Sequence, residues 1–514
     1  MTTLEGLAHG FTVALQPEVL IYSLFGALLG TFVGVLPGIG AMAAITLLLP
    51  LTYYISSEAA LVMLAGVYYG AQYGGAVASI LLRLPGTPQS VVTALDGYPM
   101  AQQGRGGVAL FTAMISSFAG SMLGIVVLVV LAGWLSRVAT EFGAADYAAM
   151  MIMGLVAAST IGSKHPAKSF AMVVLGLILG CVGTDVNSGA QRLTFGRTEL
   201  IDGINLVALA MGLFGVAEVI SNIRRADRHG PPDRVTLRQL IPTRQDLRRM
   251  VAPVLRGTGL GSMLGALPGT GSTISSFLSY AMEQRVARQP ERFGKGAIEG
   301  VAGPEAANNS AAITAFVPTL TLGIPGDPIM ALMLGALIIH GIQPGPLMLE
   351  ARPDMFWGLV VSFGIGNLFL LILNLPLIGI WVSMLRIPFR WLYPAIIVFI
   401  CLGVYSVRGS VFDIAMVAGI GAVGYALSLA AFSPALLLLG FVLGPLIETN
   451  LRRAMLISRG DPMIFLERPI ACGFIMAAVA LIVFPVVKSV FRGRRTGALP
   501  PDPQGIWTKK KGRR

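Results

Sequence analysis

Residues 257–282 run for 26 positions without an Asp, Glu, Lys or Arg, and Leu267-Pro268-Gly269-Thr270-Gly271 sits in their middle. Similar uncharged runs recur at 19–36, 39–55, 59–82, 107–135, 169–184, 203–217, 306–326, 328–349, 355–385, 391–407, 414–447 and 469–487, and at 145–163 apart from Asp146. A membrane-spanning helix needs about 20 apolar residues, with a range of about 17–25. Some runs are short, and 414–447 is long enough for two helices with a break near Ser433-Pro434. The pattern predicts an all-α polytopic membrane protein with roughly 10–14 membrane segments. Only 12% of residues are charged, against about 25% in a soluble domain. An ordinary soluble enzyme, a secreted disulfide scaffold and a disordered tail protein are excluded. Cys181, Cys401 and Cys472 sit in apolar runs with neither metal spacing nor an evident disulfide pair.

The net charge of +12 is concentrated. Residues 224–250 hold eight Arg and three Asp, and residues 488–514 hold nine Lys or Arg against Asp502. Together these segments account for the whole positive excess. They flank apolar spans, as the positive-inside rule requires of cytoplasmic loops, so no nucleic acid partner is expected. The first span is preceded by Glu5 and Glu18 and by no Lys or Arg. A signal peptide is not indicated, and this end is expected outside the cytoplasm. Segment 448–468 carries Arg452, Arg453, Arg459 and Arg468 on the side opposite the tail if one span follows it. It reads as an interfacial amphipathic helix, or else the span count is off by one.

An internal repeat is visible. LGTFVGVLPGIGA at 29–41 returns as LGSMLGALPGTGS at 260–272, and LRLPGTP at 82–88 returns as LGIPGDP at 322–328. Two motifs in one order, twice, divide the chain into a first repeat half (1–223), a basic connecting loop (224–250), a second repeat half (251–487) and a basic tail (488–514).

Pro removes a backbone donor and Gly is a poor helix former, so Pro-Gly inside an uncharged run breaks the helix at membrane depth. Non-helical backbone there must line protein or a water-filled cavity. The break frees carbonyls that can coordinate a cation and amides that can hold an anion. The candidate cation-binding residues are therefore Pro37, Gly38, Gly40, Pro268, Gly269, Gly271 and Asp327, with Na⁺ as the candidate bound ion and no other metal or cofactor expected. Each run reads as a kinked span or as a re-entrant hairpin that returns Arg285, Arg288, Arg292 and Lys295 to the cytoplasmic side.

The second motif places two prolines around a glycine. Thr87 and Asp327 fall where helices restart, so Asp327 reads equally as an N-cap and as an ion ligand. The candidate substrate-binding residues are Asn308, Asn309, Ser310, Gly86, Thr87, Gly326 and Arg83, assisted by amides following Pro37, Pro85, Pro268 and Pro325. Arg83 either snorkels to the interface or meets an anionic substrate. Tyr68, Tyr69 and Tyr73 occupy the matching stretch of the first half and read as site or interfacial-belt residues. No HExxH, GxSxG, Walker A or CxxC pattern occurs, so the chain is not expected to be an enzyme or an ATP-driven pump.

The stretch YYGAQYGGAVASILLRLPGTPQSVVTALDGYPMAQQGRGG (68–107) resembles the large membrane subunit of tripartite tricarboxylate transporters, the TctA family. So do ERFGKGAIEGVAGPEAANNSA (291–311), LTLGIPGDPIMALMLGALIIHGIQPGP (320–346) and LGFVLGPLIETNLRRA (439–454). The likeness covers about residues 20–490. It implies a multi-pass secondary carrier of the bacterial inner membrane that imports a tricarboxylate-like organic anion by symport with a coupling ion, Na⁺ or H⁺. The implied partners are a small four-helix membrane subunit and a periplasmic solute-binding protein. The family often has Asn where Arg83 stands, and an Arg facing the site would move preference away from citrate. The residues alone leave open an anion channel or a non-transport scaffold with structural Pro-Gly breaks.

The charge pattern gives a first test. In a chain with its three cysteines replaced, Arg228→Cys should resist an impermeant thiol reagent added to intact cells. Ready labelling would reverse the orientation.

Overall fold

The computed structural model describes residues 2–36, 40–84, 86–139, 141–160, 165–185, 188–223, 237–267, 271–345, 348–385 and 389–495. Its first half begins with α1 (Thr3–Ala14), α2 (Pro17–Val35), α3 (Gly40–Thr52), α4 (Ser57–Leu82), α5 (Thr93–Met100) and α6 (Gly106–Ala139). It continues with α7 (Ala144–Thr160), α8 (Pro166–Gly180), α9 (Leu206–Ala210) and, past a π-helical stretch, α10 (Ala217–Ile223). Among the described residues, the strands are two-residue pieces, Gly183–Thr184 and Gln191–Arg192, paired antiparallel. The second half opens with α11 (Arg244–Gly265), α12 (Gly271–Val286), α13 (Glu299–Thr314), α14 (Phe316–Leu322), α15 (Pro328–Ile339), α16 (Met348–Ala351) and α17 (Pro353–Asn374). It closes with α18 (Ile378–Met384), α19 (Phe389–Arg408), α20 (Val411–Leu429), α21 (Pro434–Ile457), α22 (Ile464–Glu467) and α23 (Pro469–Arg495). Five described helices are long and apolar enough to cross a membrane, and seven shorter apolar helices accompany them. The chain is an all-α multi-pass membrane protein.

One packing device is used twice. On α2, a Cβ at Gly26, Gly30 or Gly34 would collide with the carbonyls of Met63, Val67 and Ala71 on α4. On α11, a Cβ at Gly257, Gly261 or Gly265 would collide with the carbonyls of Gly303, Ala307 and Ala311 on α13. The α2 and α11 positions differ by 231 throughout, and the α4 and α13 positions by 240. In both cases the two helices run parallel with backbones in contact, a packing that small residues permit. Between them the chain turns back. Arg256 on α11 holds Glu283 on α12 through two hydrogen bonds of 2.8 and 2.6 Å. The legs of this hairpin are therefore side by side, and the re-entrant reading holds for α11–α12. Gly40 and Gly271, which restart the return helices, have φ of +66° and +64°. Only glycine adopts that conformation at no steric cost.

The ion pairs at the helix ends show how the halves are oriented. α11 and α13 start together, with Arg249 bidentate to Glu299 at 2.8 and 2.7 Å. At this face Arg105 meets Asp246 at 2.7 Å, and Asp96 accepts from the Gly296 and Ala297 amides at 2.8 Å each. α5 follows α4, and a Cβ at Gly97 would meet Ile80 Cγ1 at 2.7 Å, so the C-terminal end of α4 lies at this same face. The start of α4 lies at the other face, where Arg352 meets Glu58 at 3.1 Å and Glu18 accepts from the Ser56 hydroxyl at 3.1 Å. Hence α2 and α4 run one way and α11 and α13 the other. The two repeats have inverted topology.

Three sequence expectations are corrected or resolved here. Tyr68, Tyr69 and Tyr73 are at most 1% exposed, so they are not belt residues. They lie against the second half, where Tyr69 stacks edge-on to Phe363 with ring centroids 5.5 Å apart. Segment 448–468 is not a separate interfacial helix, because α21 runs on to Ile457. Its arginines do not oppose the charge rule simply: Arg452 binds Asp185 at 2.8 Å and Glu448 at 2.6 Å, and Arg468 binds Asp146 at 2.6 Å. The break read at Ser433-Pro434 is found, between α20 and α21.

Inversion fixes which ends share a side. In the cysteine-replaced background, Asp354→Cys should label from outside intact cells and Gln245→Cys only after permeabilisation. Labelling of both from one side would overturn the inverted arrangement.

Candidate functional site

Four polar side chains from four separate segments meet in the interior. Asp327 belongs to the second-half PGDP, and its Oδ2 accepts from the Tyr68 hydroxyl of α4 at 2.6 Å. Ser272 Oγ, one residue past the glycine that restarts α12, lies 3.4 Å from the same hydroxyl. Gln89, just after the first-half PGTP, donates from Nε2 to Ser272 Oγ at 2.8 Å. Asp327 is 7% exposed and Gln89 6%, with Tyr68 and Ser272 at 2% or less. Tyr68 stands eleven residues into α4, about 16 Å along its axis, so the cluster lies near mid-depth.

Local sequence explains the placement. Asp327 is extended (φ −149°) before Pro328, and its Oδ1 caps α15 by accepting the Met330 amide at 2.9 Å. Its other oxygen accepts from Tyr68, so one residue both caps α15 and joins the buried cluster. Gly271 is close behind it, since an added Cβ would sit 3.3 Å from Asp327 Cβ. Gln89 retains an unpartnered Oε1, and Tyr69 Oη and both polar atoms of Gln72 on α4 are also buried without a partner.

The other sequence candidates divide into groups. Gly86 packs against the backbone of Gly34 and lies 2.8 Å, through an added Cβ, from Gly75 Cα, which ties the first-half motifs together. Thr87 is turned into its own loop, donating to Ser90 Oγ from its amide and hydroxyl at 3.2 and 3.3 Å. Gly326 packs on Ala315, with an added Cβ 3.0 Å from that side chain. Ser310 donates to the Thr258 carbonyl at 3.2 Å, a contact between α13 and α11. Asn308 donates to Glu305 Oε2 at 3.2 Å, and its Oδ1 accepts from Asn309 at 2.8 Å. Asn309 Oδ1 remains buried and unpartnered. Gly40 has open space where a Cβ would be. Pro37, Gly38, Pro85, Pro268 and Gly269 lie outside the described residues. Arg83 is exposed in the left-handed conformation (φ +57°) at the C-cap of α4, 5.8 Å over the Tyr98 ring. It is not brought to the cluster.

Sequence reading missed Gln89, Ser272, Glu305 and Asp96. Ser272 was within the repeated motif, and Asp96 and Glu305 were rare acids between uncharged runs. Asp96 is wholly buried, and its three contacts, the Gly296 and Ala297 amides and the Tyr280 hydroxyl at 2.9 Å, pin α5 to the start of α13.

Comparison with known proteins gives the context. The chain is 49% identical over 491 residues, 95% of its length and 97% of the relative's, to an uncharacterised 52.8 kDa protein in the TAR-I ttuC′ 3′ region of Agrobacterium vitis. It is 52% identical over 242 residues, 47% of this chain and all of the relative, to an uncharacterised protein in the TAR-II ttuC′ 3′ region of the same organism. No solved structure matches. The model of the tripartite tricarboxylate transporter TctA family matches residues 20–439. With that match joined to an all-helical membrane architecture, the chain belongs to the tripartite tricarboxylate transporter TctA family.

Proposed function

We propose that this protein is the large membrane subunit of a binding-protein-dependent secondary transporter. It imports an organic carboxylate across the bacterial inner membrane together with a coupling cation, in complex with a small four-helix membrane subunit and a periplasmic solute-binding protein. The observation that carries the reading is the buried Tyr68–Gln89–Ser272–Asp327 cluster at mid-depth between inverted repeats. Broken helices meeting at the midplane of inverted repeats are the general construction of a carrier site.

The charges divide the roles. Asp327 repels an anion, so it serves the cation, together with carbonyls at the LPGxG breaks. The carboxylate is then held by neutral donors and by the bound cation. Tyr69 Oη, Gln72, Gln89 and Asn309 supply buried polar atoms without partners. A ligand that satisfies them removes a cost of about 1–3 kcal/mol for each unmade hydrogen bond.

Uptake into vesicles reconstituted with the binding protein tests this. Asp327→Asn should lower cation-driven uptake at least roughly tenfold, whereas Tyr68→Phe, which removes one hydrogen bond of about 1 kcal/mol, should lower it only several-fold. Normal uptake by Asp327→Asn would remove the cluster from the transport path. Arg83→Gln should retain uptake within about twofold, because a surface cation–π contact is worth only about 0.5–1 kcal/mol. Severe loss there would place Arg83 on the substrate.

A further inference from the structure

A second carboxylate is buried apart from the Asp327 cluster. Glu305 is fully enclosed on α13, six residues past Glu299, about 9 Å inward from the Arg249–Glu299 pair. Its Oε1 accepts from the Thr93 hydroxyl of α5. Its Oε2 accepts from Ser117 Oγ of α6 at 3.0 Å and from Asn308 Nδ2 at 3.2 Å. Thr93, Ser117 and Asn308 are each at most 1% exposed. Glu305 forms no ion pair among the described residues, although Asp146, Asp246, Glu283 and Glu299 all have an arginine.

We propose that Glu305 is a proton-carrying site of this transporter, loaded and unloaded as the contact between α5 and α13 changes. The assignment rests on the transport reading and names one ion that the carrier couples. Its first ground is the missing counter-charge. A carboxylate held away from water without a cation is costly, and three neutral hydrogen bonds compensate only in part. Gaining a proton removes the charge.

The second ground is the chemistry of the cage. A hydroxyl is both donor and acceptor and rotates freely. When Glu305 gains a proton, the Thr93 or Ser117 hydroxyl turns and accepts from the new O–H, and no heavy atom need move. The third donor excludes the rival occupant. Asn308 presents its NH₂ to Glu305, and its Oδ1 is held by Asn309, so the amide hydrogens face the position a Na⁺ ion would take. A proton fits this cage and a metal cation does not.

The third ground is position. Thr93 follows the first-half PGTP motif, whereas Glu305 and Asn308 stand on a second-half helix. Movement of one inverted repeat against the other therefore changes the donor set around Glu305. The titratable and charged groups on the packed elements are accounted for. Tyr73 of α4 lies within electrostatic reach of Glu305. Asp96 of α5 is bound to the Gly296 and Ala297 amides just before α13 and to Tyr280 of α12, while Glu283 of α12 is paired with Arg256 of α11. Arg105, next to α6, is paired with Asp246, and Arg249 with Glu299 at the start of α13. The step is a proton transfer alone: the carboxylate takes H⁺ from water on the outer side and returns it to water on the cytoplasmic side.

Two readouts test the proposal. The first compares substrate exchange with pH-gradient-driven accumulation in vesicles holding the complete system. Glu305→Gln should keep exchange within about twofold of the parent, lose pH-driven accumulation at least roughly tenfold, and show a flat pH profile. Glu305→Asp should retain the gradient response. The second is pH-difference infrared spectroscopy, in which the parent should show a carboxylic C=O band that vanishes as pH rises and is missing in Glu305→Gln. Parent-like pH-driven accumulation in Glu305→Gln overturns the proposal. Equal loss of exchange and accumulation in Glu305→Gln makes Glu305 a structural residue and overturns it too, as does the absence of a band that depends on Glu305. A parent that transports no carboxylate defeats the transport reading instead, and the infrared titration then decides the proton site alone.

Discussion

An unpaired peptide group in hydrocarbon costs several kcal/mol, so a chain that breaks its helices inside a membrane must enclose the breaks in protein. This requirement organises the molecule. Gly40 and Gly271 restart helices just past two Pro-Gly breaks, and each break is flanked by a pair of parallel helices in backbone contact. Glycine stripes make that contact close enough to exclude lipid. On the α4 side Gly70 and Gly74 press back on α2, where added Cβ atoms would lie 2.7 and 2.6 Å from the Thr31 and Val35 amides. In the second half the matching positions of α13 are Ser310 and Thr314, whose hydroxyls instead bond to backbone carbonyls. The same geometry is reached with different side chains.

Acidic groups are partnered in two ways. Asp246, Glu299, Glu283, Glu58 and Asp146 are ion-paired with arginines, whereas Asp96, at the same face as the Arg249–Glu299 pair, is held by two backbone amides and the Tyr280 hydroxyl. Asp327 and Glu305 are likewise held by hydroxyls, an amide side chain and a backbone N–H. A fixed salt bridge at those positions would neutralise the charge permanently. Neutral donors orient a carboxylate without cancelling its charge, an arrangement consistent with the proposed coupling to a cation.

Much of the fold was legible in the sequence because its causes are local. Uncharged length marks the helices, Pro-Gly marks the breaks, and repetition marks the two halves. Orientation of the repeats was not legible, because it depends on which distant charges pair, such as Arg249 with Glu299 and Arg352 with Glu58. The site was legible in part. Asp327 stood out as an acid inside a break motif, but Gln89 and Ser272 carry no pattern of their own, and only folding brings them within 2.8 Å. The tyrosines were ambiguous for the same reason. An amphipathic ring suits both a membrane interface and a polar interior, and only burial separates the two. Arg83 was ambiguous until its exposure and its place over Tyr98 were known.

The repeat also shows what symmetry does not supply. Matched positions pair Tyr68 with Asn308, Tyr69 with Asn309, Thr87 with Asp327, Ala41 with Ser272, and Arg83 with Gly323. The backbone is alike, since Arg83 and Gly323 are both left-handed C-caps with φ of +57° and +70°. The side chains are not. A symmetric site would place two acids at the midplane, where their repulsion would oppose binding an anion. Here the second half supplies the carboxylate and Ser272, and the first half supplies the Tyr68 phenol that binds the carboxylate and the Gln89 amide that binds Ser272. Under the proposed transport function, an inverted backbone would let one site open to either side of the membrane, and unequal side chains would let it hold a cation and an anion together.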